Sequence, residues 1–126
     1  MTRVEEAQVT LTIPADASYV RLVRLLVASS ASDLGYVYEA VEDLRIAADE
    51  AANLAISLCR EGGAIRVGIF GDDGAIAVGI ECPTDHDHAE FDPLAWQIVA
   101  ALTTACTVSS FEGELRIFFQ YPPASK

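Results

Sequence analysis

The chain has 126 residues, 52% hydrophobic and 21% charged, a composition that indicates a compact folded protein and excludes a disordered chain. The formal net charge of −11 argues against nucleic acid as a partner, because phosphate binding is driven by lysine and arginine. It suits a basic protein partner, although the same charge can serve solubility alone. The absence of a long apolar run and of a secretion signal behind MTRVEEAQ predicts a single cytoplasmic domain over residues 1–126.

The N-terminal part predicts one strand and one helix. Residues 8–13 alternate between apolar and polar side chains, which is typical of a half-buried strand, and Pro14 ends it. Asp16 or Ser18 can cap a helix over residues 17–31. Its broad apolar face is predicted to consist of Val20, Leu22, Val23, Leu25, Leu26 and Val27.

A long amphipathic helix is predicted over residues 36–59, centred on the stretch VEDLRIAADEAANLAISL. One face carries acid where a core helix would carry leucine, so it is either a solvated face or the floor of a site. The apolar stripe is Val37, Val41, Leu44, Ala48, Ala51, Ala55 and Leu58, and the acidic face is Glu39, Asp43, Ile46, Glu50 and Asn53.

The second half predicts a hairpin, a polar loop, a third helix, a second hairpin and a frayed tail. In chain order these are residues 64–70 and 75–81 about a Gly-Asp-Asp-Gly turn, 82–90, 91–105, 106–111 and 115–121 about Glu112-Gly113, and 122–126. Leu94, Ile98, Ala101 and Leu102 are predicted to form the buried face of the third helix. The order β-α-α-β-β-α-β-β predicts an α+β fold, a two-layer sandwich with the helices on one face of a mixed, mostly antiparallel sheet.

Two groups of residues are candidates for chemistry. Glu50 could act as a general base or hold a metal-bound water, with Asp49 and Asn53 assisting a magnesium ion. His86 and His88 alternate with aspartates in the polar loop and could coordinate a divalent metal, although such loops are usually only solvated. The three cysteines lack CxxC spacing, which favours buried free thiols: Cys59, Cys82 and Cys106.

At this point the chain resembles a known family. Residues 19–25, Tyr38 and residues 41–51 look like the first half of the RsbW-type anti-sigma factors. These belong to the histidine kinase-like ATPase superfamily, with gyrase, the heat-shock ATPases, histidine kinases and MutL. Residues 92–106 are similar to the helix after the nucleotide lid, and residues 113–121 to the closing strand. The resemblance implies the Bergerat version of the α/β sandwich.

The resemblance also implies partners and residue roles. Members bind a sigma factor, compete with a STAS-type anti-anti-sigma protein, and are commonly homodimers. Kinase-competent members phosphorylate that antagonist on serine with Mg-ATP. Arg24 matches an arginine on the partner-binding face, which makes Arg24 and its neighbour Arg21 the candidate interface, with Glu39 and Glu42 as weaker candidates.

The nucleotide-handling positions depart from the family pattern. Glu50 matches the general base, but Leu54 stands where the magnesium-binding asparagine should lie, and Asn53 is one position early. The adenine box should contain Asp-x-Gly-x-Gly, yet residues 81–85 read ECPTD without glycine. The lid glycines are replaced by residues 93–95, PLA, and the closing Gly-Thr pair by Gly113-Glu114, a negative charge near the expected phosphate.

The sequence therefore predicts a non-enzymatic anti-sigma factor, or a close regulatory relative, that sequesters a sigma factor and is released by a STAS-type partner, with no cofactor. One alternative is an active serine kinase that uses Mg-ATP, with Glu50 as base and Asn53 as a displaced metal ligand. The other is a metal-responsive module that uses His86 and His88.

Overall fold

The computed structural model describes residues 3–72, 74–86 and 93–124. Their element order confirms the predicted α+β arrangement. The elements are β1 (Val9–Pro14), α1 (Val20–Asp33), α2 (Tyr38–Leu58), β2 (Ala64–Asp72), β3 (Ala75–Pro83), α3 (Pro93–Leu102), β4 (Ala105–Phe111) and β5 (Glu114–Tyr121). Short 3-10 turns, Val4–Glu6 and Ala17–Tyr19, precede β1 and α1.

The five strands form one sheet in the order β1-β2-β3-β5-β4. All four pairings between these strands are antiparallel, so the expectation of a mixed sheet is wrong in that detail. The reason is the path of the chain after β3. The segment containing α3 carries it to the far edge, where β4 forms, and β5 then returns between β4 and β3 in the opposite direction.

The three helices pack on one face of the sheet, as predicted. Central strands alternate so that one set of side chains meets the helices. In β3 these are Ile76, Val78, Ile80 and Cys82, all fully buried. Helix α2 lies between α1 and α3 and is rich in buried alanine, whose small side chain lets the helices and the sheet approach closely.

The N-terminal turn covers part of the opposite face of the sheet. A Cβ at Gly68 would stand 2.7 Å from the Ala7 Cβ and 3.3 Å from Val4, so the glycine leaves the space that the turn fills. The Val4 amide donates a hydrogen bond of 2.9 Å to Oε2 of Glu81, a buried carboxylate on β3. Sequence analysis did not anticipate this turn, because MTRVEEAQ carries no strong helical or strand pattern.

Four apolar residues that were predicted to be buried are exposed, and Ala101 of α3 is one of them. Leu25 is exposed because the buried positions of α1 are Val20, Val23, Val27 and Ala31, a narrower stripe than predicted. Leu94 is exposed because α3 buries Ala95 and Val99, one position along from the predicted face and so about 100° around the helix. Val37 is exposed because it is the N-cap of α2, outside the regular helix.

The chain ends and turns are more ordered than their composition suggested. The predicted frayed tail is held as far as Ala124, because the Tyr36 hydroxyl donates a 2.7 Å hydrogen bond to the Pro122 carbonyl. The turn between β4 and β5 has positive φ at Glu112 (52°) and Gly113 (77°), as a two-residue hairpin turn requires. All three cysteines are free, and Cys82 is the fully buried one.

Candidate functional site

Glu50, the predicted general base, is half-buried near the middle of α2. Among the residues that the structure describes, its carboxylate makes no hydrogen bond or ion pair. A carboxylate in this position is chemically available to accept a proton. Helix α2 thus carries the predicted acid, Glu50, at a partly exposed position.

The two residues considered as the metal ligand face in different directions. Asn53 is exposed, and its Nδ2 donates a 3.0 Å hydrogen bond to the Asp49 carbonyl one turn earlier. Leu54 is only 3% exposed and belongs to the hydrophobic core. Since consecutive helical residues are about 100° apart, the position one turn after Glu50 is an apolar contact and its polar neighbour points to solvent.

The segment after β3, where the family places its adenine box, is fixed to the end of α2. The Thr84 hydroxyl donates a 2.6 Å hydrogen bond to the Leu58 carbonyl. The Thr84 amide donates 2.9 Å to the Gly113 carbonyl in the β4–β5 turn, and Cys59 forms an isolated antiparallel bridge with Thr84. Thr84 therefore joins the last turn of α2 to two parts of the sheet.

Arg60 adds a charged contact to this junction. Its Nε donates 2.9 Å to Oδ1 of Asp85, and its Nη2 donates 3.2 Å to the Thr84 carbonyl. The same Nη2 would stand 3.2 Å from a Cβ at Gly113, so the guanidinium lies directly beside that turn.

Cys82 is the buried thiol at this junction. Burial is the main cause that raises its pKa and the nearby Cys59 thiol is the second, which keeps the Cys82 thiol neutral and unreactive.

Glu114 does not place its charge where the sequence comparison suggested. It lies on the sheet face away from the helices, where its carboxylate accepts a hydrogen bond from Arg66. Arg66 also lies 3.4 Å from Oε1 of Glu81, and the Arg116 Nε lies 4.0 Å from Oε2 of Glu81. These four charges balance one another beside a cavity of about 540 Å³ that the N-terminal turn helps to form.

The predicted partner-binding arginines lie on α1. Arg24 forms an ion pair with Asp49 on α2, with 2.9 Å between Nη1 and Oδ1 and with 39% and 29% of the two side chains exposed. Arg21 is exposed one turn earlier. Arg24 is thus a surface cation that already has a partner within the chain, and a binding protein would meet it as part of a pair.

The two predicted acidic partner residues are at the other end of α2. Glu42 forms a two-atom ion pair with Arg45, at 2.7 and 3.1 Å. Glu39 is exposed in the first helical turn, where a negative charge is favourable to the helix dipole. Glu39 and Glu42 lie ten and seven positions before Asp49, the partner of Arg24, along α2. The structure therefore does not gather all four candidates at one point.

The N-terminal end of α2 also carries residues that sequence reasoning did not combine into a site. Tyr36, Asp43, Tyr121 and Pro122 surround a cavity of about 260 Å³. The Tyr121 hydroxyl donates 3.1 Å to Oδ2 of Asp43, and the rings of Tyr36 and Tyr121 meet edge to face with 5.7 Å between centroids. Asp43 stood in the predicted acidic face, but the tyrosines are far apart in sequence and gave no signal of contact.

The described residues contain neither a candidate metal cluster nor a membrane-spanning helix. Within residues 3–72, 74–86 and 93–124, no group of three or more His, Cys, Asp or Glu side chains is arranged to hold a metal ion. His86 is half-buried, whereas His88 lies outside the described residues. No helix in the described part of the chain is long and apolar enough to cross a membrane.

Comparisons with known proteins give similarity to serine-protein kinases. No protein-family model matches the chain. It is 40% identical over 70 residues to the serine-protein kinase RsbW of Bacillus pumilus, covering 56% of the chain and 40% of that relative. It is 33% identical over 78 residues to the serine-protein kinase RsbW of Bacillus subtilis, covering 58% of the chain and 49% of that relative. The matches thus span less than half of these curated relatives.

A solved structure agrees with the fold over most of the chain. The crystal structure of the RsbU and RsbW domains of Rv1364c from Mycobacterium tuberculosis superposes with a TM-score of 0.73. It covers 94% of this chain and 34% of that one, at 15% sequence identity. At that identity the likeness establishes the fold alone, and the relation to the kinases comes from the sequence matches.

Proposed function

We propose that the chain is a member of the RsbW-type family within the histidine kinase-like ATPase superfamily. From that premise, the protein is a non-enzymatic anti-sigma factor that sequesters an RNA polymerase sigma factor. Release follows when a STAS-type anti-anti-sigma protein competes for the same surface. The acidic character of the chain, with a net charge of −11, suits a basic region of the sigma factor. The protein acts in the cytoplasm as a homodimer.

The proposal that the chain lacks kinase activity rests on one observation, the burial of Leu54. A magnesium ion needs oxygen ligands, and the position one turn after Glu50 offers a methyl group packed in the core. Asn53 cannot replace it without breaking its bond to the Asp49 carbonyl and rotating toward the core side of the helix. The hydrogen bonds of Thr84 to Leu58 and Gly113 further support a junction that is filled by the chain itself.

Isothermal titration tests the loss of nucleotide chemistry. Purified protein is titrated with ATP and with ADP, each with and without magnesium. We expect no binding up to millimolar nucleotide. Micromolar binding that requires magnesium would overturn the proposal, because it would mean that oxygen ligands other than the residue at position 54 complete the site.

Sigma-factor capture tests the interface. Arg24→Glu reverses the exposed charge on α1 and places it against Asp49, so we expect loss of capture of the sigma factor by the tagged protein. Arg60→Glu is the matched control, because Arg60 is also an exposed cation paired with an acid, here Asp85, and neither belongs to the candidate interface. Equal capture by wild type and Arg24→Glu would contradict this interface.

An active serine kinase is the second candidate, and the names of the relatives favour it. In that case Glu50 would be the base, since it is half-buried and its carboxylate makes no hydrogen bond or ion pair within the described residues. Transfer of labelled phosphate from Mg-ATP to a serine of a STAS partner, abolished by Glu50→Ala, would establish this function. Transfer that persists in Glu50→Ala would point to a contaminating kinase.

A further inference from the structure

The cavity at the N-terminal end of α2 has the shape and lining of a slot for one long side chain. We call it the tyrosine slot, and it has a volume of about 260 Å³. Its walls come from the start of α2 and from the segment after β5. The lining residues are Tyr36, Val37, Glu39, Ala40, Asp43, Tyr121, Pro122, Pro123 and Ala124.

The slot is held in shape by hydrogen bonds on both sides. The Tyr36 hydroxyl accepts a 3.0 Å hydrogen bond from the Ile76 amide and donates one of 2.7 Å to the Pro122 carbonyl. The Tyr121 hydroxyl donates to Asp43, and the Ala124 amide donates 3.5 Å to the Gly74 carbonyl. Both walls are therefore tied to the sheet, and the space between them exists before any partner arrives.

The interior of the slot is negative. Glu39 and Asp43 line it, and among the residues that the structure describes no arginine or lysine does so. Burial raises the pKa of Tyr121, and the carboxylates of Asp43 and Glu39 raise it further, as expected where negative charges face a phenol. Only one oxygen of Asp43 accepts the Tyr121 bond, which leaves the other available to a donor.

The rim of the slot is apolar and exposed. Val37, which lines the slot, is 62% exposed, and the next residue along the chain, Tyr38, is 77% exposed. Exposed aromatic and aliphatic groups beside a polar recess are typical of the anchor region of a protein interface. The rim thus offers apolar contact area around a negative recess.

We propose that the tyrosine slot binds an arginine or lysine side chain of the partner protein. The aliphatic stem passes between the tyrosines and prolines, and the cationic head meets Glu39 and Asp43. Charge complementarity selects this occupant, because a neutral or acidic side chain would leave Glu39 and the second oxygen of Asp43 without a cationic partner. The inference rests on the proposed function for the identity of the partner, but not for the chemistry of the slot.

A small-molecule titration tests that chemistry without the partner. Acetyl-arginine amide is added to isotope-labelled protein and followed by NMR, and acetyl-citrulline amide serves as the uncharged match. We expect saturable shifts at Tyr36, Val37 and Tyr121 with the arginine probe only, half-complete in the millimolar range. Glu39→Gln should weaken the arginine response severalfold. Glu61→Gln, which removes an exposed carboxylate beyond the other end of α2, should leave it unchanged.

Two results would overturn the proposal. One is an equal response to the arginine and citrulline probes, or none to either. The other is a response that emerges only after Lys126→Ala, which would identify the chain's own last residue as the occupant. Neither result bears on capture of the sigma factor by wild type against Arg24→Glu, so failure here is distinct from failure of the proposed function.

Discussion

The two ends of α2 use their polar groups in opposite ways. At the C-terminal end, the carbonyl of Leu58, the hydroxyl of Thr84 and the guanidinium of Arg60 are all bonded within the chain. At the N-terminal end, Glu39 is exposed, and one oxygen of Asp43 accepts a hydrogen bond from Tyr121 beside a cavity. Although one helix spans both ends, the structure closes one and leaves the other open to a partner.

This difference is what the proposed function requires, since there the fold holds a partner protein and not a nucleotide. The core stripe of α2 needs only small and apolar residues, so leucine at position 54, where the resemblance implies a metal ligand, is compatible with the fold. The open end carries groups whose burial would be costly without a partner, which makes it the more informative region for function. The following changes test this contrast, from the largest expected effect to the smallest.

Restoring a polar ligand at the closed end should be the most damaging change. Leu54→Asn removes a core contact and buries an amide that has no partner, so we expect the unfolding free energy to fall by about 3 kcal/mol. Urea denaturation measures this change. Asn53→Leu, on the exposed neighbour, is the control and should change stability by less than about 0.5 kcal/mol. A stable Leu54→Asn variant that gains Mg-ATP binding would place position 54 in a site.

Removing one hydroxyl at the open end should be the next largest change. Tyr36→Phe leaves the buried Ile76 amide without its acceptor and the Pro122 carbonyl without its donor, so we expect a loss of about 2 kcal/mol. Tyr38→Phe is the matched control, because Tyr38 is exposed, and this substitution should leave the free energy of unfolding nearly unchanged. Equal effects of the two substitutions would mean that Tyr36 does not fix the tail.

Alkaline pH should weaken the same end to a smaller extent. Burial raises the pKa of Tyr36 and of Tyr121 above the ordinary value of 10.0. A raised pKa means that the folded state favours the protonated phenol, so this contribution is complete below pH 10 and is lost as the pH rises through the raised values. Chemical denaturation should show stability decreasing above about pH 10, less steeply in Tyr36→Phe. A constant stability there would contradict the burial of these phenols.

Breaking the surface pair between α1 and α2 should have the smallest effect on stability. Arg24→Gln removes an ion pair whose side chains are 39% and 29% exposed, so we expect a loss of about 0.5 kcal/mol that shrinks in high salt. Thermal unfolding at low and high ionic strength measures it. A loss above about 2 kcal/mol would show that Arg24 is chiefly a structural residue and would weaken its assignment to an interface.

Local patterns were sufficient to predict the elements and their order. The central helix was predicted over residues 36–59 and is observed over Tyr38–Leu58, because its apolar period is long and uninterrupted. Helix α3 was less well predicted, since ten residues with apolar side chains all round do not define a face. The burial of Ala95 and Val99 instead of Leu94 follows from packing against α2, which composition does not report.

Candidate residues from the sequence were individually sensible but could not be assembled into a site. Position 54 could be compared with a family pattern, so its departure was visible before the structure. The role of Tyr36 could not be predicted in this way, because its partners Ile76 and Pro122 are separated from it by 40 and 86 residues. Contacts of that range depend on sheet register, and no local signal in this sequence encodes them.

The packing of the N-terminal turn has a consequence for variation among related chains. The Ala7 side chain occupies the space above Gly68, and a methyl group of Val4 would lie 3.4 Å from a Cβ at Gly79. A larger residue at position 68 therefore demands a smaller one at position 7 or a displaced turn. Wherever this turn lies against the sheet, we expect the side-chain volumes at positions 7 and 68 to vary inversely across orthologues. The sum of the two volumes should stay nearly constant.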